Sequence, residues 1–142
     1  MYTLKDYTQL FRPWPGKLQT EYATKIIDAG ALTVIKTVQG KGSLLSAMIR
    51  INPTASENQG VPVLRIDSQY SIILTWADFL ALNFTPNSPF MARLILYDET
   101  NYDYAIGFYG PITFEEELSL QYYEIQGQTF TALYELTYTI FQ

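Results

Sequence analysis

The closing stretch of the chain carries its clearest pattern, with Phe130, Ala132, Tyr134, Leu136, Tyr138 and Ile140 alternating with Thr131, Glu135, Thr137 and Thr139. A period of two predicts a half-buried β-strand. A slip of one residue would turn the whole apolar set into water, so its register is well specified. Weaker versions recur upstream. Leu32, Val34 and Val38 alternate with Thr33 and Thr37, although Ile35 and Lys36 blur the pattern, and Gly40-Lys41-Gly42 then supplies a turn. Over residues 43–52, Leu45, Ala47, Ile49 and Ile51 fall on one face, with Ser46, Met48 and Arg50 on the other. Residues 63–67 and 71–75 read as strands joined at Asp67-Ser68-Gln69, and residues 91–97 as a strand with Leu94 and Leu96 inward. A hairpin turn at residues 98–101 leads into a strand over 102–109, which Gly110-Pro111 breaks. Leu118, Leu120 and Tyr122 then alternate with Ser119, Gln121 and Tyr123 before a turn at Gln126-Gly127-Gln128.

One stretch has a helical spacing instead: Trp76, Phe79, Leu80 and Asn83 follow i, i+3, i+4, i+7. The loops fall at residues 53–60 and 85–89, where breakers and small polar residues cluster. Short strands separated by turns, without alternating helices, predict an all-β, two-sheet sandwich of jelly-roll type with eight or nine strands. Residues 1–20 stand apart. Pro13 and Pro15 forbid a regular helix or central strand there, so the segment is expected to be an irregular N-terminal arm, with the sandwich domain over 21–142. Its Tyr2, Tyr7, Phe11 and Trp14 are too apolar for a solvated tail and are expected to form an interface.

Composition sharpens this picture. A chain of 142 residues is one domain, large enough to bury roughly 70% of the surface its unfolded form exposes. Only 16% of residues are charged, against about 25% in an average domain, while tyrosine appears 12 times. Such a surface suits intersubunit contacts, where tyrosine buries its ring and keeps its hydroxyl bonded. The net charge of -5 leaves no basic footprint for a phosphate backbone, so nucleic acid is not an expected partner. The first residues lack the charged start and apolar run of a signal peptide, and the longest apolar region, 70–84, falls short of the roughly 20 residues a spanning helix needs. Neither secretion by that route nor a membrane span is expected.

The chain has no histidine and no cysteine. Imidazole proton shuttles, histidine-based and thiolate metal sites and disulfides are therefore unavailable, and no cofactor or metal is expected. Catalysis would have to rest on carboxylates, as in glycoside cleavage, where two carboxyl groups stand about 5 to 9.5 Å apart. The candidates are Glu115, Glu116 and Glu117, with Asp98, Glu99 and Asp103. The plainer reading of the triplet is a solvated strand start that discourages edge pairing. No calcium-loop spacing accompanies these acids. Gly40-Lys41-Gly42-Ser43 lacks the first glycine of a phosphate loop, and a strand follows where a helix should begin. Asn83-Phe84-Thr85 has the form of a glycosylation sequon and is read as coincidence. Trp14, Trp76, Tyr102, Tyr104 and Tyr109 could stack on sugar rings, with a core or interface role as the plainer reading.

The order of Gly40-Lys41-Gly42 into an apolar strand, Val63-Leu64-Arg65-Ile66-Asp67, Ile112-Thr113-Phe114-Glu115-Glu116-Glu117-Leu118-Ser119-Leu120 and the closing Ala132-Leu133-Tyr134-Glu135-Leu136-Thr137-Tyr138 resembles the single jelly-roll structural proteins of bacteriophage and archaeal virus particles. It is also similar to one half of the double jelly-roll glycoside hydrolases. Those enzymes join two jelly rolls and this chain has room for one, so no catalytic residue carries over. The resemblance implies a non-enzymatic capsid, vertex or tail subunit, assembled in the host cytoplasm. Its partners would be copies of itself and other virion proteins, reached by sheets, loops and the arm. The alternative is a carbohydrate-binding module or receptor-binding domain with a glycan as ligand.

Overall fold

The computed structural model describes residues 16–82 and 91–141. Among them nine strands form two antiparallel sheets packed face to face. The strands are β1 (Lys17–Ile27), β2 (Leu32–Gln39), β3 (Gly42–Ile51), β4 (Val61–Ile66), β5 (Gln69–Ile73), β6 (Ala92–Asp98), β7 (Asp103–Phe114), β8 (Glu117–Tyr123) and β9 (Phe130–Ile140), with a short helix α1 (Trp76–Ala81) between β5 and β6. One sheet has the order β1-β9-β3-β7-β6 and the other β2-β8-β4-β5. With β6 set aside as an added edge strand, the chain crosses between sheets in the nested order of a jelly roll, two Greek keys folded over one another.

β9 behaves as its alternation predicts. Phe130, Ala132, Tyr134, Leu136 and Tyr138 are buried between the sheets, and the strand is held on both sides by β1 and β3. Strand pairing begins at Lys17, opposite Ile140, so residues 17–20 belong to the sandwich rather than to the arm. Tyr2, Tyr7, Phe11 and Trp14 lie outside the described residues, as do Asn83, Phe84 and Thr85.

Three strands face differently from the expected pattern, and each difference sits at a β-bulge. An extra residue in one strand reverses which side chains point inward beyond it. In β2 the register shifts between Val34 and Lys36. Thr33, Ile35 and Val38 are buried, while Leu32 and Val34 stand on the outer surface. In β3 the shift lies between Leu44 and Ser46, so the core takes Leu44, Ala47, Ile49 and Ile51, and Leu45 is only half-buried. In β6 the shift between Leu94 and Leu96 leaves Ala92 and Leu94 inward and Leu96 half-buried. Gly110-Pro111 does not end β7. The strand passes through it by a cis peptide bond, opposite the bulge of β3, and continues to Phe114.

The helical spacing at residue 76 is real but short. Thr75 caps α1 by accepting from the Asp78 N–H at 3.0 Å, and the Asp78 carboxylate answers the Thr75 N–H, a reciprocal capping box. The helix drops Trp76 and Phe79 into one end of the core and leaves Leu80 exposed. The Trp76 ring lies 5.6 Å from Tyr104 and 6.3 Å from Tyr122, and Tyr122 meets Phe130 edge-on at 5.6 Å. Each such fully buried ring contributes about 2–3 kcal/mol of transfer free energy.

Candidate functional site

The carboxylates singled out in the sequence do not form one cluster: Asp98 and Asp103 are partners across the β6–β7 ladder, at the opposite end of β7 from the Glu115–Glu117 triplet. Asp98 accepts from the N–H groups of Thr100 and Asn101 and closes its own turn. Asp103 forms a two-pronged ion pair with Arg50, the shorter contact being 2.8 Å. Glu99 accepts from the hydroxyls of Tyr104 and Ser56. Glu115 and Glu116 are exposed at the β7–β8 turn and Glu117 accepts from the Gln39 side chain. What organises the triplet is its backbone: the N–H groups of all three residues donate to the Asp67 carboxylate at 2.7–3.0 Å. Burial would raise the Asp67 carboxyl, but those three N–H groups outweigh it and hold it below the ordinary range. Asp67 and Ser68 take φ values of 50° and 65°, and that tight hairpin aims the carboxylate across to the neighbouring turn.

The sequence reading missed a close carboxyl pair, Glu57 and Glu124, both fully buried at the end of the sandwich that holds Trp76. Glu57 rises to about 8, through burial first and then its hydrogen bond with Glu124. Burial opposes ionisation of Glu124 too, yet bonds from Glu57 and from the N–H groups of Gly30, Gly127 and Gln128 bring it to about 2. The pair therefore shares one proton, carried by Glu57. Tyr122 Oη donates to Glu57 Oε2 at 2.7 Å, and Trp76 Nε1 donates to Tyr122 Oη at 2.8 Å. Glu124 accepts from Gly30 and Gly127 at 2.9 and 2.7 Å and from Gln126 at 2.9 Å. A Cβ at Gly60 would collide with Tyr122 Oη and Glu57 Oε2, so glycine lets this pair keep its place. With both carboxyls sealed from solvent, this cluster ties together the loops that carry it. Nothing in the sequence marked it: Glu57 sits in a polar loop and Glu124 follows the last residue of β8.

A scan against models of known protein families gives no match, and neither does a search of curated proteins.

The remaining candidates are surfaces. Trp76 and Tyr104, offered as sugar-stacking aromatics, are core residues. The Tyr104 hydroxyl is pushed up to about 12 by burial and its bond to Glu99. Tyr109 is exposed and has the Arg93 guanidinium 5.0 Å above its ring, while Tyr102 is half-buried against the core. Tyr22, Tyr70 and Tyr123 are exposed as well, and more so than Tyr109. Tyr70 and Tyr123 border a groove of about 380 Å³ on the outer face of the four-stranded sheet, lined also by Leu32, Val61, Val63 and Ile73.

Tyr22 belongs to β1, which hydrogen-bonds only to β9 among the described strands, so that its other edge is open as far as the described residues go. Leu18, Tyr22 and Ile26 point outward at 60%, 66% and 61% exposure, with Thr20 and Thr24 between them. Inward, Glu21 reaches the rim of the sandwich and pairs with Lys36 of β2 at 3.2 Å, closing the flank between the sheets. Among the described residues no group of three or more acidic side chains could hold a metal ion, and no helix is long and apolar enough to cross a membrane.

Proposed function

We propose that this chain is a non-enzymatic structural subunit of a virus particle that assembles through its sheets, its loops and the aromatic segment containing Tyr2, Tyr7, Phe11 and Trp14. The observation that carries the reading is the open edge of β1 with its outward Leu18, Tyr22 and Ile26. Water-exposed apolar side chains on a long edge strand are a liability for a free monomer and an asset for a subunit. The jelly-roll topology agrees with it, since coat proteins use this architecture, as do lectin domains. Light scattering on the purified chain, followed by negative-stain microscopy, tests the reading. Discrete oligomers or ordered assemblies are expected; a monomer at every concentration up to the solubility limit overturns it.

A second reading, glycan binding, draws on the groove between Tyr70 and Tyr123. Specific retention on a glycan array, lost in Tyr70→Ala and Tyr123→Ala, would favour it, and its absence from the array would remove it.

A further inference from the structure

The open edge has a property that selects its partner. The outward residues of β1 read Leu18, Thr20, Tyr22, Thr24, Ile26, the same order of chemistry from either end. We propose that β1 pairs antiparallel with β1 of a second copy of this chain, about a two-fold axis through Tyr22, which rests on the assembly reading above and names its first contact.

The pairing joins two five-stranded sheets into one of ten strands, as edge strands do when they add to one another. An axis perpendicular to the sheet keeps outer face beside outer face. Leu18 then lies opposite Ile26 of the copy, Thr20 opposite Thr24, and Tyr22 opposite itself, so the apolar stripe of one copy runs into that of the other. On the inner face Glu21 meets Ala23, Lys25 meets Gln19 and Lys17 meets Ile27, with no like charges opposed. All 11 residues of the strand are paired.

Neighbouring registers are worse. Moving the axis to Glu21 opposes Glu21 with itself and Lys17 with Lys25, and moving it to Ala23 sets Leu18 against Asp28. Shifts by one residue would put the outer face of one copy beside the inner face of the other. Glu21 is already neutralised by Lys36 within its own chain, so the axis carries little net charge. Leu32 and Val34 on β2 line a shallow depression together with Ile26.

The chain has no cysteine, so single-cysteine variants report the contact without background. Opposed residues across an antiparallel pair have Cα atoms about 4.5–5.5 Å apart, within disulfide reach. Under mild oxidation Tyr22→Cys should shift from monomer to covalent dimer. Thr20→Cys and Thr24→Cys should each stay monomeric alone and cross-link when mixed. Thr131→Cys, exposed on β9, is the control and should not cross-link. Tyr22→Lys should convert the dimer to monomer in light scattering. An oligomer in which Tyr22→Cys cross-links no faster than Thr131→Cys overturns β1 pairing and leaves the assembly reading standing. A monomeric parent chain overturns both.

Discussion

Glu57 gives the sharpest test of the interior. Its carboxyl is raised from 4.5 to about 8, chiefly by burial, whereas the unfolded chain releases that proton near 4.5. Between these values the folded state holds a proton that the unfolded state does not, so stability falls as pH rises from about 4.5 to 8 and is level above that. At about 1.4 kcal/mol per unit, the loss is at most about 5 kcal/mol. Glu124, held near 2, acts in the opposite sense: its contribution is present above 4.5 and lost as pH falls toward 2. The pair therefore places maximal stability near pH 4.5 to 5, more acidic than is usual for a domain. Urea denaturation followed by far-ultraviolet circular dichroism, at half-unit steps from pH 4 to 9, measures the slope. Glu57→Gln keeps a donor toward Glu124 and cannot ionise, so it should match the parent near pH 5, lose the downward slope and be the more stable protein at pH 8.5. Parallel profiles for the two proteins between pH 5 and 8 would mean that Glu57 is ionised in the folded state, and the shared-proton account would fail.

The bulge in β3 separates two adjacent leucines: Leu44→Ala should cost about 2–5 kcal/mol in chemical denaturation and half-buried Leu45→Ala about 1 kcal/mol. Asp67→Asn keeps the turn conformation and removes the charge that gathers three N–H groups; a loss of about 1–3 kcal/mol at pH 7 is expected, shrinking below pH 4 as the parent carboxylate itself protonates. Gly60→Ala should destabilise by about 1–3 kcal/mol in thermal or urea unfolding, because Tyr122 and the Glu57 carboxyl must give way, and a melt unchanged from the parent would contradict the packing described around them.

Strand existence was legible because period-two alternation is a local property. β9, β8 and the hairpins at Asp67 and Asp98 stand where the pattern puts them. The facing of β2 and β3 was not legible. A bulge is one extra residue with no side-chain signature, and it inverted the roles of Leu32 and Val34 and exchanged Leu45 for Leu44. The blur at Ile35 and Lys36 was its only trace. Gly110-Pro111 misled for a related reason: it lies where β3 bulges, so the missing donor falls at a break in the ladder. The Glu57–Glu124 pair was out of reach altogether. Burial of a charged residue depends on which loops close over it, and these come from positions 28–31, 52–60 and 124–128, far apart in the chain.

The alignment of Lys17 with Ile140 settles where the sandwich is entered and left. Gly16 lies close enough to Ile140 that a side chain there would strike its carbonyl, so residues 16 and 141 emerge side by side from one corner. Any segment attached before the first strand and any attached after the last are thus delivered to the same place. A short linker across that corner, with new ends opened at the exposed Glu99–Thr100 turn, would leave every strand of both sheets intact. The two ends of the sandwich thus share one corner rather than standing at opposite poles.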